Sequence, residues 1–348
     1  MIFLQITGVG IASIVLSYFT VTHIGCWAEK WQILDIPNER SSHALPIPRG
    51  GGLAIAVISL IGFIVIWLLN LRWPLTIIIT FLCGAAGIAT ISYLDDLYSL
   101  PNRVRLTAHS LAALVSIWGL GYWHNVDVPL LGQLHLGWLG PPITFLWIVG
   151  LTNAYNFMDG IDGIAGGQGV VAGLGWGIWG LISDHLLIGT LGLLLAASCL
   201  GFLGHNWPPA RIFMGDVGSA FLGYAFSVLA VLAAQEDSRL VLAGVLFVWP
   251  FVFDTSYTFF CRLRRGENVF IAHRSHLYQR LVVAGCSHRF VFSLYIGLSL
   301  IGVILSLVWS RNTMGSSLFI TIALSWLCLM LWAFVTYQER RKVIQHKY

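Results

Sequence analysis

The sequence predicts an all-α, polytopic membrane protein of about eleven transmembrane helices, forming one domain over residues 1–348. Only 10% of the residues are charged and 57% are hydrophobic, and the mean hydropathy is +0.80. A soluble domain carries about 25% charged residues, so most of this surface must face lipid. Apolar runs recur along the chain, and each is close to the roughly 20 residues that an α-helix needs to cross a bilayer.

The predicted spans follow these apolar runs. They lie near residues 2–24, 51–69, 75–93, 106–123, 140–156, 164–182, 186–203, 218–234, 240–260, 290–309 and 317–337. Gly, Asn and Pro interrupt or bound the fifth, seventh and eighth runs, so a count of ten is the alternative. The first run lacks a basic segment and a small-residue cleavage site, which predicts a retained helix and not a signal peptide. The six cysteines lack metal-type pair spacing and are interpreted as packing residues.

The basic residues predict the orientation of the chain. Sixteen of the 19 Lys and Arg residues lie in loops that follow odd-numbered spans or in the C-terminal tail; the other three are Arg72, Arg239 and Arg311. The positive-inside rule therefore places the odd loops and the C-terminus in the cytoplasm, and the N-terminus outside. The loops dense in reactive side chains are also odd, near residues 25–50, 94–106, 153–163, 204–219 and 261–289. The sequence thus predicts that the candidate chemistry lies on the cytoplasmic face.

An acidic pair, Asp95 and Asp96, follows the third span. Two adjacent carboxylates at a membrane edge are costly to bury unless a cation or a proton compensates them. The pair is therefore a candidate for binding or catalysis. The alternative interpretation is a solvated helix end beside Arg103 and Arg105.

The loop after the fifth span reads NAYNFMDGIDG over residues 153–163. Asn156, Asp159 and Asp162 are spaced by three, so on a helical end they would share one face. Their oxygens suit a hard cation such as Mg²⁺, which also accepts oxygens from substrate phosphates. The alternative is a turn that joins two helices, although a turn does not require this many acids at the edge of the hydrocarbon.

The loop after the seventh span ends in FMGDVGS, with Asp216 between two glycines at the start of a helix. An aspartate in this position can bind a metal ion or cap the helix through its backbone N–H groups. Taken alone, the loop favours the cap. Its neighbouring loops favour the metal.

The loop after the ninth span is the most basic and contains His273, Arg274 and His276. Such a patch could bind anionic lipid head groups or set the orientation of the chain. The two imidazoles make it more specific, because they can hydrogen-bond a diphosphate without adding negative charge.

Two further features are candidates. The first cytoplasmic loop ends in Arg49 and the glycines Gly50 to Gly52, whose backbone amides could cradle phosphate oxygens; the alternative is a flexible linker. Asp254 lies inside the ninth span, where an ionisable residue is either functional or paired with an arginine.

Together these loops resemble those of the polyprenyl-phosphate N-acetylhexosamine-1-phosphate transferase superfamily, glycosyltransferase family 4. The matching segments run from about Asp35 to Arg280 in the family's order: DIPNERSSHALPIPRGGG, YLDDL, NAYNFMDGIDG, PARIFMGDVGS and the basic segment with its histidines. The resemblance is closest to the bacterial O-antigen transferases of N-acetylfucosamine and N-acetylglucosamine 1-phosphate. The segment AHRSHLYQR departs from the contiguous histidine cluster of several better-known members, which indicates a different sugar or branch.

The resemblance implies an activity and its partners. The expected reaction moves N-acetylhexosamine 1-phosphate from a UDP-sugar to undecaprenyl phosphate, releases UMP and starts a lipid-linked glycan such as O-antigen. The expected cofactor is Mg²⁺, with Mn²⁺ as a substitute. The protein would lie in the bacterial inner membrane among lipid, as a monomer or a homodimer, with no nucleic-acid partner.

The resemblance also implies roles for individual residues. The expected catalytic residues are Asp95, Asp96, Asp159, Asp162, His273 and His276. The expected substrate-binding residues are His43, Arg49, Asn153, Asp159, Arg211 and Arg274. The expected metal ligands are Asn156 and Asp216. In this scheme Asp95 and Asp96 serve the lipid phosphate and its deprotonation, Asp159 and Asp162 line the nucleotide site, and the basic segment holds the diphosphate or the sugar.

The residues leave two mechanisms and two rival classes open. The acceptor phosphate could attack directly, or Asp216 could act as a covalent nucleophile. A transporter would place its ionisable residues near the membrane midplane, and a lipid-binding scaffold would need the basic patch but not the acids. Release of UMP would separate the transferase from both.

Overall fold

The computed structural model describes residues 2–36, 46–70, 73–268, 273–311 and 313–345, and this part of the chain is mostly helical. Its α-helices are α1 (Ile2–Lys30), α2 (Gly52–Asn70), α3 (Leu75–Tyr98), α4 (Asn102–Leu120), α5 (Gly140–Met158), α6 (Ile164–Ile182), α7 (Leu186–Asn206), α8 (Asp216–Glu236), α9 (Leu240–Phe247), α10 (Trp249–Arg264), α11 (Leu277–Val283), α12 (His288–Ser310) and α13 (Ser316–Gln345). Each of the eleven predicted runs therefore contains a helix.

Seven helices in the described part are long and apolar enough to cross a membrane: α1, α2, α3, α7, α8, α12 and α13. The bent pair of α9 and α10 raises this number to eight. Helices α4, α5 and α6 are less apolar, because α4 begins with two arginines, α5 carries asparagines and prolines, and α6 is rich in glycine. The chain is a polytopic membrane protein; the count of eleven and the orientation of the termini stay predictions.

The predicted ninth span, 240–260, is not one continuous helix. Helices α9 and α10 meet at Val248 and are bent by 80° relative to each other. Pro250 near the start of α10 has no N–H group and so cannot continue the hydrogen bonds of α9. Gln168 donates to the carbonyl of Phe247 at 2.7 Å and itself accepts from Ser299 at 2.5 Å, so the carbonyl of the last residue of α9 has a partner inside the bundle.

Two short antiparallel hairpins were not predicted. Strands β1 (Leu34–Asp35) and β2 (Ile47–Pro48) pair at the base of the first loop. Strands β3 (Asn125–Val128) and β4 (Gly132–His135) form the second hairpin within the stretch 124–139. Ser238 attaches this hairpin to the connection between α8 and α9, since its hydroxyl donates to Asp127 and accepts from Gln133.

Helix α8 is the centre of the bundle and is almost entirely buried. It contacts α2, α3, α5 and α9. Its first turn lies against the first turn of α2, where a methyl group on Gly52 would lie 2.3 Å from the Cα atom of Gly218. Because only glycines allow this approach, the N-terminus of α8 is held where α2, α3 and α5 meet.

Candidate active site

Asp96, at the end of α3, caps the N-terminus of α8. Its two carboxylate oxygens accept from the backbone N–H groups of Asp216 at 3.0 Å and Val217 at 3.1 Å. Gly215 precedes α8 with φ +76°, and a methyl group there would lie 2.6 Å from an Asp96 oxygen. The buried carboxylate therefore satisfies two otherwise unpaired amides and fixes the position of Asp216.

Arg105 of α4 joins two of the predicted acids. One guanidinium nitrogen lies 2.8 Å from Asp95 Oδ2 and 3.0 Å from Asp216 Oδ2. The other oxygen of Asp95 accepts from the backbone N–H of Leu100 at 2.6 Å. Two carboxylates that lie 121 positions apart in sequence thus share one cation, and Arg105 was not among the predicted site residues.

The first loop does not supply the predicted phosphate cradle. The N–H groups of Gly51 and Gly52 donate to the carbonyls of Phe213 and Met214 at 3.0 and 2.8 Å, so these amides join the loop to the segment before α8. Arg49 donates to the backbone carbonyl of Asp96. Gly51 and Gly52 therefore pack the end of this loop against the segment before α8, and their amides are not free to bind a phosphate.

The end of α5 brings two asparagines to the site. Asn153 donates to the carbonyl of Val149 at 2.7 Å and to His109 Nδ1 at 3.1 Å. Asn156 donates through its amide nitrogen to the hydroxyl of Ser219, in the first turn of α8, at 3.0 Å. This contact turns the amide oxygen of Asn156 away from Ser219 and leaves it available as a ligand.

Asp162 does not share a helix face with Asn156, contrary to the expectation from their spacing. Helix α5 ends at Met158, and Asp162 lies in the following loop. It accepts from the backbone N–H of Ala210 at 3.2 Å and pairs with His288 Nδ1 at 3.3 Å. Asp162 therefore connects this loop to the α7–α8 connection and to the start of α12.

Among the described residues Asp254 has no arginine partner, and it does not line the cavity. It is fully buried. The part of the chain that the structure describes surrounds it with hydrogen-bond donors, namely the backbone of Leu277 and Tyr278 and the side chains of Tyr295, Thr258 and His276. This residue holds the segment that carries the predicted site histidines.

Tyr278 joins the histidine segment, residues 273–276, to the end of α5. Its hydroxyl donates to the carbonyl of Phe157 at 3.0 Å. A methyl group on Gly160 would lie 2.0 Å from the same hydroxyl, so only glycine fits beside it. The segment with His273 and His276 is thus fastened over the residues that follow α5.

A cavity of about 700 Å³ lies between these elements. Five of the predicted residues line it: Asn153, Asn156, Asp216, His273 and His276. Arg103, Arg105, His109 and Gln279, which were not predicted as site residues, line it as well. Apart from Ser92 and Asn102, the remaining wall is apolar and includes Leu106, Val149 and Phe259. The cavity combines a polar end with an apolar wall, as a site for a charged group on a lipid requires.

The other predicted residues lie around this cavity or apart from it. Asp95 and Asp96 do not line the cavity themselves. They contact two residues that do, Arg105 and Asp216. Arg211 is exposed and Arg274 is half-buried, and neither is among the described residues that line the cavity. His43 lies outside the described residues.

The electrostatics of the site differ between its acids and its histidines. Burial, together with the negative charges of Asp216 and Asp96, raises the pKa of Asp159 well above its usual range. Burial, with nearby His276 and Arg262, lowers the pKa of His273 to about 4. The negative charges around Asp159 therefore favour the binding of a cation beside them. The imidazole of His273 is neutral at physiological pH.

The residues fit a magnesium ion that shares its coordination with a substrate. Asp216 is one-third exposed, and both it and Asn156 line the cavity. Among the residues described, no group of three His, Cys, Asp or Glu side chains could hold a metal alone. Mg²⁺ is typically bound by one or two carboxylates plus substrate phosphates, so a carboxylate and an amide oxygen are a suitable partial set.

The comparison with known proteins gives the family. The sequence model of glycosyl transferase family 4 matches residues 77–234. A probable undecaprenyl-phosphate N-acetylglucosaminyl 1-phosphate transferase of Bacillus subtilis is 35% identical over 295 residues, covering 84% of this chain and 81% of the relative. The chain belongs to glycosyl transferase family 4.

Other members of the family show how widely this similarity extends. A decaprenyl-phosphate N-acetylglucosaminephosphotransferase of Mycobacterium leprae is 30% identical, covering 88% of this chain and 85% of the relative. A phospho-N-acetylmuramoyl-pentapeptide-transferase of Moorella thermoacetica is 36% identical, covering 57% of this chain and 65% of the relative. The family assignment predicted from the loop motifs is confirmed.

Proposed function

We propose that this protein transfers N-acetylhexosamine 1-phosphate, with N-acetylglucosamine as the first candidate sugar, from its UDP derivative to undecaprenyl phosphate and releases UMP. Relatives that span most of the chain are named as transferases of N-acetylglucosamine phosphate to undecaprenyl or decaprenyl phosphate, which supports the sugar phosphate and the lipid acceptor. The reaction would take place at the cytoplasmic face of the bacterial inner membrane, with the N-terminus outside and the C-terminus inside. The product would begin a lipid-linked glycan of the cell envelope.

The observation that carries the proposal is the single cavity shared by Asn156, Asp216 and the histidine segment. These groups come from α5, α8 and the segment between α10 and α11, which are far apart in sequence. Their convergence places oxygen ligands, imidazoles and Arg105 around one space. A sugar nucleotide diphosphate requires this combination, since its negative charge must be neutralised before another phosphate approaches.

The apolar wall supports a lipid as the second substrate. Leu106 of α4, Val149 of α5 and Phe259 of α10 extend from the polar end of the cavity. A polyprenyl chain could lie along these side chains while its phosphate lies near Arg103 and Arg105. Burial of apolar surface would then position the reacting phosphate.

The proposed chemistry is a direct displacement at the sugar-bearing phosphorus. The acceptor is a phosphate monoester with a second pKa of about 6, so it is largely ionised near neutral pH and requires little base assistance. A magnesium ion at Asn156 and Asp216 would neutralise charge on the diphosphate as UMP departs. Asp216 is in contact with Arg105 and would also hold the metal, which weakens it as a covalent nucleophile.

Asp95 stays the proposed proton acceptor if the acceptor phosphate still carries a proton. Its oxygens are held by Arg105 and by the Leu100 N–H group. Both oxygens of Asp96 are taken by the amides of α8. We therefore propose a positioning role for Asp96. Asp95 stays the candidate proton acceptor because it shares Arg105, which lines the cavity, with Asp216.

A substrate panel tests the proposal. Purified protein in detergent is incubated with undecaprenyl phosphate, MgCl₂ and each of several UDP-N-acetylhexosamines, and UMP release and the lipid product are measured by chromatography and mass spectrometry. We expect UMP and a lipid-linked sugar diphosphate in equal amounts for one donor. Absence of UMP with every donor, in protein that still binds lipid, would contradict the transferase and favour a transporter or a lipid-binding scaffold.

A further inference from the structure

The two histidines of the cavity differ in what lies behind them. His273 Nδ1 is 2.8 Å from the hydroxyl of Ser275 and 3.3 Å from the Ser275 backbone N–H, which can only donate. Its Nδ1 atom is therefore the acceptor, and the ring proton of the neutral imidazole is on Nε2. The Nε2–H group of His273 can donate a hydrogen bond to a phosphate oxygen without any change of charge.

His276 has the opposite arrangement. Its Nδ1 atom lies 3.2 Å from Asp254 Oδ1, and a carboxylate oxygen accepts, so the ring proton is on Nδ1. The neutral ring then presents the lone pair of Nε2, which a phosphate oxygen repels. His276 can hydrogen-bond a diphosphate only after it has gained a second proton.

Asp254 is held in a position that would stabilise that second proton. Its Oδ1 atom accepts from the backbone of Leu277 at 2.7 Å, and its Oδ2 atom accepts from Tyr278 N at 3.0 Å and from the hydroxyl of Tyr295 at 2.6 Å. These contacts keep the carboxylate fixed against His276, as the carboxylate of a catalytic triad orients and stabilises its histidine. The side chain of His276 is only 5% exposed, so little water screens the pair.

We propose that binding of a diphosphate at this cavity is coupled to the uptake of a proton by His276, and that Asp254 is the positioning residue that makes this possible. The inference rests on the proposed function, because it takes the diphosphate of a UDP-sugar as the ligand. On binding, a proton from solvent adds to Nε2 and no covalent bond between heavy atoms changes. The resulting imidazolium lies between the carboxylate of Asp254 and the diphosphate.

Other charged and titratable groups surround the pair and must be considered. They are His273, Tyr278, Tyr295, Arg262, Arg274, Arg280, Glu267 and Asp159. Burial raises the pKa of Tyr278 well above its usual range, so this phenol stays neutral. His273 stays neutral too, since burial lowers its pKa to about 4. Of the two histidines, only His276 has an Nε2 atom without a proton, so it is the ring that must gain one to hydrogen-bond a diphosphate.

Calorimetry measures the proton directly. UDP with MgCl₂ is titrated into the purified protein at pH 7.5 in buffers of different ionisation enthalpy, and the slope of heat against that enthalpy gives the protons taken up. We expect about one proton per UDP for the natural chain, since the Nε2 atom of His276 has no proton to offer the diphosphate until one is taken up. Uridine, which has no diphosphate, should give none.

A matched pair of variants identifies the group. His273→Gln should keep the proton uptake, whereas His276→Gln should lose it and Asp254→Asn should lose most of it. Tyr295→Phe removes one hydrogen bond to Asp254 but no charge, so it should keep the uptake. Zero uptake in the natural chain, or equal uptake in His276→Gln, would overturn the proposal.

A second measurement begins without any nucleotide, so its first result does not depend on the proposed substrate. Nitrogen-15 NMR of histidine-labelled protein without nucleotide should show His276 protonated on Nδ1 and His273 protonated on Nε2. On addition of UDP, His276 alone should become protonated on both nitrogens. A His276 ring protonated only on Nε2 would overturn the inference, whereas the expected tautomers with no response to UDP would count against the proposed nucleotide site.

Discussion

The two ends of α8 carry carboxylate–arginine contacts of different kinds. At its C-terminus, Asp237 is matched with Arg239, whose Nε and Nη2 atoms lie 3.0 and 2.6 Å from its two oxygens. At its N-terminus, Asp216 and Asp95 share a single nitrogen of Arg105. In the first contact, one negative charge is matched by one positive charge. The second leaves negative charge in excess beside a cavity, which is the arrangement that attracts a cation.

The pKa shifts at the two ends agree with this difference. Although partial burial raises it, the hydrogen bonds from Arg239 bring the pKa of Asp237 below its usual range. At the other end, burial and the charges of Asp216 and Asp96 raise the pKa of Asp159. A surplus of carboxylates, and not the presence of an ion pair, therefore distinguishes the candidate active site.

The largest effect is expected from the loss of the Asp216 carboxylate at the N-terminus of α8. Asp216→Asn should lower UMP release by about 100-fold or more, because the variant removes a negative ligand of the metal at the point of charge development. Asp237→Asn is the matched control on the same helix and should retain activity near that of the natural chain. Comparable turnover by the two variants would remove Asp216 from the metal site.

Replacement of Arg105, the cation that Asp95 and Asp216 share, should change turnover and the Mg²⁺ requirement in opposite directions. Arg105→Ala should lower kcat by roughly 10-fold, since the diphosphate loses a positive partner, yet less Mg²⁺ should be needed for half-maximal activity because Asp216 is no longer neutralised. The measurement is UMP release at graded MgCl₂ concentrations. Arg239→Ala should change neither kcat nor the Mg²⁺ requirement. A higher Mg²⁺ requirement for Arg105→Ala would contradict the proposed excess of negative charge at the N-terminus of α8.

The cap on α8 can be tested with two glycines that both have a positive φ angle. Gly215 and Gly285 have φ +76° and +101°, but only a methyl group on Gly215 would contact Asp96; a methyl group on Gly285 would meet nothing within 4 Å. Both alanine variants should lose stability from backbone strain, on the order of 1–3 kcal/mol. Gly215→Ala should also lose most of its UMP release, because the displaced cap moves Asp216. Equal activities with equal melting temperatures would argue against the cap.

The smallest effect is expected in the pH dependence of His273. Because its pKa is lowered to about 4, the imidazole of the free protein is neutral throughout pH 5.5 to 8. The profiles of kcat/KM for the natural chain and for His273→Gln should therefore be parallel over this range, with the variant displaced downward. An inflection near pH 6 that disappears in the variant would show that His273 titrates there.

The sequence located the ligands of the site better than the residues that support them. Asn156 and Asp216 were predicted from motif and chemistry, and the structure brings both to one cavity. Asp96 and Asp254 were flagged because acids near a membrane are costly to bury, but such reasoning cannot show which donors will surround them. The backbone amides that Asp96 accepts lie about 120 residues away along the chain.

The fold shows the same limit. Hydropathy detects where apolar helices lie, and each predicted run contains a helix. It does not detect the break at Val248, because Pro250 is compatible with either a kinked continuous helix or two separate helices. The contact from Gln168 to the carbonyl of Phe247 at the break cannot be read from hydropathy. It also failed at Asp162, since a spacing of three indicates a shared face only if the helix continues past Met158.

The most direct test of the central claim is whether one divalent ion contacts Asp216 and a bound diphosphate together. Mn²⁺ replaces Mg²⁺ in purified protein with UDP, and electron–nuclear double resonance records the coupling between the manganese and phosphorus nuclei. We predict strong phosphorus coupling in the natural chain and in Asp237→Asn, and its loss in Asp216→Asn. Manganese that binds without phosphorus coupling, or coupling that persists in Asp216→Asn, would contradict the account.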